Sequence, residues 1–253
     1  MPVPATPKTE GQLIEVFSSI QGEGALVGFR QIFVRMAFCN LSCNYCDTPF
    51  EPLDNCRMED APGSGNFRSV PNPVQLETLY NTLFHWHRKA PGLHHSISLT
   101  GGEPLVQGEI LQQWLPALQK ILPIHLETNG TLPAILEPLL PDLDWITMDI
   151  KLASQTGCDT PWQAHRDFLA LARTKQCCIK AVVGEETPFE EAEEAARLVH
   201  EVAPDASLIL QPVTRKGQIE ISGRMLLDLQ TRAARVHPLI RVIPQTHRFI
   251  GIP

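Results

Sequence analysis

Three cysteines stand within eight residues: Cys39, Cys43 and Cys46, in a C-x3-C-x2-C run. Thiolates are soft ligands that suit zinc or an iron–sulfur cluster. Structural zinc sites close all four positions, mostly with paired C-x-x-C or histidine ligands. Three cysteines with no evident fourth Cys or His beside them fit zinc poorly. They fit a [4Fe–4S] cluster in which three irons are ligated and the fourth stays open to a substrate or cofactor. Cys56 is a possible fourth ligand, ten residues on, and reads better as a bystander in a loop. A zinc site and three incidental thiols remain as alternatives.

Other chemistry-bearing residues close short apolar runs. Gly101-Gly102-Glu103-Pro104, Glu127-Thr128-Asn129-Gly130, Asp149-Ile150-Lys151 and Gln211-Pro212-Val213-Thr214 each follow such a run. Arg35 interrupts the apolar stretch that leads to Cys39. A guanidinium there needs an anion, and a bidentate carboxylate supplies one. A structural salt bridge would meet the same need.

The elements that position these residues are legible as a rhythm. Period-two or apolar runs predict strands over 31–38, 96–100, 124–127, 145–150, 178–183, 207–213 and 240–243. Helical spacing predicts helices over 74–89, 110–122, 160–175 and 222–236, with another from 187 and a weak one over 132–140. This alternation predicts an α/β fold with a mostly parallel sheet and outer helices, either a partial or full barrel or a doubly wound sheet. Functional loops in such folds gather at the carboxyl ends of the strands. The motifs above fall at those ends. One domain is expected across residues 1–253, with a loose segment over 1–10 and a loop insertion over 51–73, where four Pro and two Gly lie.

Composition narrows the class. The chain has 253 residues, 43% hydrophobic and 19% charged, with a net charge of −7. That is a globular composition, and its sign disfavours nucleic acid and anionic lipid as main partners. Seven cysteines are an odd count, and their clustering argues against a disulfide framework. No secretory leader and no apolar run long enough to span a membrane is visible, so a cytoplasmic location is expected.

A C-x3-C-x2-C run after one strand, followed by Gly-Gly-Glu-Pro at the end of the next, resembles the radical S-adenosylmethionine (SAM) superfamily. The resemblance implies a partial (β/α) barrel, a [4Fe–4S] cluster on Cys39, Cys43 and Cys46, and SAM bound at the open iron. One electron from the cluster would cleave SAM to a 5′-deoxyadenosyl radical. Four further segments are more specific: Glu15 to Gly24 with its Gln21-Gly22-Glu23-Gly24, Arg35, Cys46-Asp47-Thr48, and the C-terminal Gln245 to Pro253. Together they resemble the 7-carboxy-7-deazaguanine synthase family of 7-deazapurine (queuosine) biosynthesis. The likeness departs over 51–73 and 152–176.

That resemblance implies a lyase that converts 6-carboxy-5,6,7,8-tetrahydropterin to 7-carboxy-7-deazaguanine with loss of ammonia. It implies Ile20, Gln21, Gly22, Glu23, Arg35, Thr100 and Pro253 as substrate contacts, with Arg35 on the carboxylate. It implies Gly102, Glu103, Gln211, Pro212, Val213 and Thr214 around SAM. Asp149, Ile150 and Lys151 stand where the family has Ser-Pro-Lys, so only Lys151 keeps its type. Thr48 matches a Mg²⁺ ligand. Glu127 and His247 are candidate proton carriers of the pocket. An electron donor such as a flavodoxin and a homodimer follow from the family. Two rivals stand beside this reading: a radical SAM activase acting on a partner protein's glycine, and a non-catalytic zinc or iron–sulfur structural protein.

Overall fold

The computed structural model describes residues 9–46, 48–215 and 217–252. Ten strands form one sheet, numbered here in chain order. They are β1 (Leu13–Ile20), β2 (Arg30–Met36), β3 (Asn55–Glu59), β4 (Phe67–Pro71), β5 (Ser96–Gly101), β6 (Ile124–Thr128), β7 (Trp145–Ile150), β8 (Gln176–Val183), β9 (Ser207–Pro212) and β10 (Ile240–Val242). Their spatial order is β10-β9-β8-β7-β6-β5-β2-β1-β3-β4. From β2 to β10 every neighbouring pair is parallel. β1 runs antiparallel to β2, and β4 antiparallel to β3.

Each strand divides its residues between two unlike faces. Ile32, Val34 and Met36 of β2, Ile97 and Leu99 of β5, and Ile179, Ala181 and Val183 of β8 belong to one buried cluster. Into the same cluster go Leu79, Leu83 and Trp86 of α1 (Leu76–Lys89), Trp114 of α2 (Gly108–Leu118), Phe168 of α3 (Trp162–Ala172), Val199 of α4 (Phe189–Val202) and Leu229 of α5 (Gly223–Ala234). The opposite face carries Gln31, Ser96, Ser98, His125, Thr147 and Lys180, all buried. A sheet buried on both faces, apolar toward the helices and polar toward its own concavity, is the wall of a barrel that holds a polar site.

The sheet curls. In a flat sheet β10 and β1, seven strand spacings apart, would lie about 34 Å from each other. Yet the Thr246 amide, four residues after β10, donates to the Gly22 carbonyl, two residues after β1, at 2.9 Å. The segment after β1 runs into the concavity. Gly24 (φ 67°) lies against Thr147, and Val27 packs on Cys178, Ile209 and Ile243. The result is the open partial barrel with outer helices that the motifs implied.

Two expectations need correction. Residues 51–73 are not a loop: β3 and β4 form a hairpin that extends the sheet beyond β1, with Glu15 opposite Arg57 and Val16 opposite Met58. Cys56 and Met58 are fully buried, so Cys56 is a core side chain rather than a loop bystander. In the N-terminal segment 1–10, residues 1–8 lie outside the described residues, and Glu10 is already paired with Gln75. Among the described residues no helix is long and apolar enough to cross a membrane.

Candidate active site

The cysteine loop begins where β2 ends. Phe38 adopts φ 69°, and its amide donates to the Phe50 carbonyl at 2.6 Å, which closes the loop on itself. The Gly101-Gly102 pair has a reason inside the chain. A Cβ on either would strike backbone, that of Met36 for Gly101 and the Phe38 carbonyl for Gly102. Gly101 also has φ 131°. The pair therefore lets β5 press against the strand end that bears the thiols. Asn40 and Asn129 pin the loop to the end of β6: Asn129 Nδ2 donates to Asn40 Oδ1 at 2.8 Å, and Asn40 Nδ2 to Thr131 Oγ1 at 2.9 Å.

Cys39, Cys43 and Cys46 are free thiols lining one cavity. Burial raises the pKa of Cys39 and of Cys43, so metal binding there would release protons. Among the described residues no three His, Cys, Asp or Glu side chains converge on a point where a single ion would sit. A four-iron cluster with one open iron asks instead for one thiolate on each of three separate irons, and three thiols around one cavity match that demand.

The far wall of this cavity is charged. Lys151 Nζ lies 2.7 Å from Asp149 Oδ2 and donates to the Tyr45 hydroxyl at 3.0 Å. Burial opposes the charge on Lys151, but Asp149 outweighs it and raises the pKa well above the usual lysine value. Gln211, Pro212, Val213 and Thr214 complete the wall. Gln211 is 4% exposed, and its Oε1 has no partner among the described residues. Two expected cofactor contacts point elsewhere. Ile150 alternates onto the helix side and joins the apolar cluster. Glu103 is fully buried and spent as a clip: it accepts from Leu105 N, Thr128 Oγ1 and Asn129 N. Burial pushes its pKa up to about 7 against those donors.

A second cavity adjoins the first. Glu23, Arg35, Thr48, Thr100, Glu127 and Gln245 line both, while Ile20, Gln21, Gly22 and His247 line only the second. Arg35 and Thr100 are direct partners across β2 and β5. Arg35 Nε lies 2.8 Å from Glu15 Oε1, so the salt bridge exists. No hydrogen bond among the described residues uses its two terminal nitrogens. Glu127 Oε1 accepts from Ser98 Oγ at 2.7 Å and from Gln21 Nε2 at 3.0 Å. Gln21 does not offer a free amide: its Nε2 also donates to Gln31, and its Oε1 accepts from Glu23 N. It holds Glu127 in place. A Cβ at Gly22 would fall on the His247 ring, so glycine is required for that approach. Burial lowers the His247 pKa despite the nearby carboxylates of Glu23 and Glu127, which keeps the imidazole neutral near pH 7. Thr48 sits where the cysteine loop meets both cavities. Asp47 and Pro253 lie outside the described residues.

Sequence reasoning missed several residues of this site. Lys180 is ion-paired with Glu23 and 3.4 Å from Asp149. Gln245 donates to Glu23 Oε1 at 2.7 Å. His125 is buried between Ser98, Gln31 and Thr147. A signal was present for Lys180 and His125: each is a polar residue at an alternate position of an otherwise apolar strand, the same pattern that singled out Arg35.

Residues 33–213 match the Radical SAM superfamily. A 7-carboxy-7-deazaguanine synthase from Geobacter sulfurreducens is 48% identical over 246 residues, covering 96% of this chain and 98% of its own. The enzyme of the same name from Archaeoglobus fulgidus is 34% identical over 244 residues, covering 95% and 98%. The crystal structure of QueE from Escherichia coli aligns over 95% of this chain and 96% of that one, with a TM-score of 0.59. At 21% identity that likeness speaks for the fold alone. The chain belongs to the 7-carboxy-7-deazaguanine synthase family of the radical SAM superfamily.

Proposed function

We propose that this chain converts 6-carboxy-5,6,7,8-tetrahydropterin to 7-carboxy-7-deazaguanine with loss of ammonia. The observation that carries the reading is the pair of adjoining cavities, one edged by three thiols and the other by Arg35, Glu127 and His247. Cys39, Cys43 and Cys46 would hold the [4Fe–4S] cluster that the superfamily implies, and cluster and SAM together supply the radical that starts the reaction.

The chain's own residues bind and orient. Arg35, braced by Glu15 through Nε, has a guanidinium edge left for the substrate carboxylate. Glu127 has one oxygen engaged by Ser98 and Gln21, and the other can accept from a pterin N–H. His247 is neutral, so it can donate at one ring nitrogen and accept at the other. Gln211 has an acceptor oxygen ready for a SAM donor. Thr48 offers a hydroxyl oxygen to Mg²⁺, a hard cation that keeps few protein ligands and takes the rest from substrate and water. An external one-electron reductant of the flavodoxin type, a homodimer and a cytoplasmic setting belong to the same reading.

The test is anaerobic turnover of the reconstituted, reduced protein with SAM, Mg²⁺ and the carboxytetrahydropterin. Formation of 7-carboxy-7-deazaguanine is expected. SAM cleavage without that product would overturn the substrate assignment and leave the superfamily chemistry in place.

A further inference from the structure

Lys180 lies mid-strand in β8. Its neighbours Ile179 and Ala181 face the helices, while Lys180 faces the barrel interior with its side chain 5% exposed. An ammonium taken out of water is costly unless carboxylates surround it. Here it is ion-paired with Glu23, from the segment after β1, and sits 3.4 Å from Asp149 of β7. No strand pairing joins β1 to β7 or β8, so these contacts tie together parts of the barrel that the sheet leaves apart.

The grip on Glu23 passes onward. The Glu23 amide donates to Gln21 Oε1 at 3.0 Å, which fixes which way the Gln21 amide points. Its Nε2 then donates to Glu127. A chain of contacts thus runs from Lys180 through Glu23 and Gln21 to a carboxylate that lines both cavities. The second Glu23 oxygen accepts from Gln245, after β10.

We propose that Lys180 is a positioning residue of the substrate pocket: by holding Glu23 against Asp149, it fixes the Gln21–Glu23 segment and the hydrogen-bonding pattern offered to the pterin. The proposal rests on the substrate reading above. The titratable groups facing Glu23 are Lys180 from β8, Asp149 from β7 and His247 after β10, with Gln245 as a neutral donor; Glu127 from β6 lines the same two cavities. Burial alone would favour the protonated acid. Lys180, followed by Gln245 and His247, reverses that and holds the Glu23 pKa down to about 2. Removing Lys180 lets burial prevail, and Glu23 then takes up a proton nearer neutrality.

The experiment compares Lys180→Met and Lys180→Arg with the wild type. In Lys180→Met the KM for the pterin rises about tenfold or more, with a smaller change in kcat. Its kcat/KM gains an acid limb that the wild type lacks, so the deficit shrinks as pH rises. Lys180→Arg keeps the charge; it raises KM but, like the wild type, shows no such acid limb. A separate arm needs no turnover: infrared spectra of the cofactor-free protein show a protonated carboxyl band in Lys180→Met that disappears in Lys180→Met/Glu23→Gln. A Lys180→Met profile parallel to the wild type, or no such band, overturns the proposal. Should Lys180→Met fail to fold, Lys180→Arg decides: the appearance of an acid limb, or an unchanged KM, overturns it. Failure of the wild type to make product overturns the substrate reading instead and leaves the infrared arm intact.

Discussion

Arg35 shows how one side chain can serve two partners. Glu15 takes its Nε at 2.8 Å, and Phe17 lies under the guanidinium at 5.6 Å from the ring centroid. Both contacts fix the plane of the group without using its outer edge. Lysine could keep the charge but not the planar fork. Arg35→Lys is therefore expected to raise the pterin KM about 10- to 100-fold, the range set by losing a hydrogen bond to a charged group, while the KM for SAM changes little. Steady-state kinetics with each substrate varied in turn checks this. Thr48 calls for a different measurement. Its hydroxyl is the candidate Mg²⁺ ligand, and it lies outside the thiol set. Thr48→Ala should weaken the stimulation of turnover by Mg²⁺ while iron and sulfide content stay at wild-type levels. Unchanged magnesium dependence would remove Thr48 from the site.

At the scale of elements, the β3–β4 hairpin is the piece that surface appearance conceals. It buries Met58 completely against the core, and Arg57 reaches Glu15 at 3.5 Å, behind the Glu15–Arg35 pair. Met58→Ala should destabilise the cofactor-free protein by about 2–5 kcal/mol, the cost of a cavity in a packed core. A surface loop would tolerate the change within about 0.5 kcal/mol, so chemical denaturation separates the two outcomes. The seven parallel strands were legible because each is an apolar run bounded by turn residues. The hairpin was not, because its strands are short, carry Arg57, Glu59 and Arg68, and end at Pro71, the features of a protected sheet edge. The site was legible to the same unequal degree. Motifs at strand ends located the thiols, Lys151 and Gln211, and a lone charge within an apolar strand located Arg35. Side-chain direction decided the rest: strand alternation turns Ile150 into the core, and three donors consume Glu103. Lys180 and Gln245 join Glu23 across 157 and 222 residues of sequence, a pairing that only the curled sheet creates.

The whole molecule closes around that curl. Its two sides meet where Gln245 and Thr246 touch Glu23 and Gly22, and the interior charges form a compensated set around Lys180 and Lys151. Such a set makes the stability of the fold depend on pH with a sign that can be worked out. The pKa of Glu23 falls from an ordinary 4.5 in the unfolded chain to about 2 in the folded one. Ionised Glu23 therefore stabilises the fold above pH 4.5, and that contribution drains as pH falls toward 2. The full shift is worth about 3 kcal/mol, of which about 1.4 kcal/mol is already lost at roughly pH 3.5, one unit below the unfolded pKa. Lys180 works at the other end, because its pKa is raised: its contribution is present below the ordinary lysine value of 10.5 and is lost only as pH climbs beyond it. Between these limits the pair should add a constant term. Glu23→Gln removes the acidic half and leaves Lys180 with Asp149. The stability gap between wild type and Glu23→Gln, measured by urea unfolding of the cofactor-free protein, should stay level from about pH 8 to pH 6 and narrow by about 1.4 kcal/mol by roughly pH 3.5. A gap that is flat down to that pH would mean that Glu23 keeps an ordinary pKa in the fold and that Lys180 does not hold it as a carboxylate.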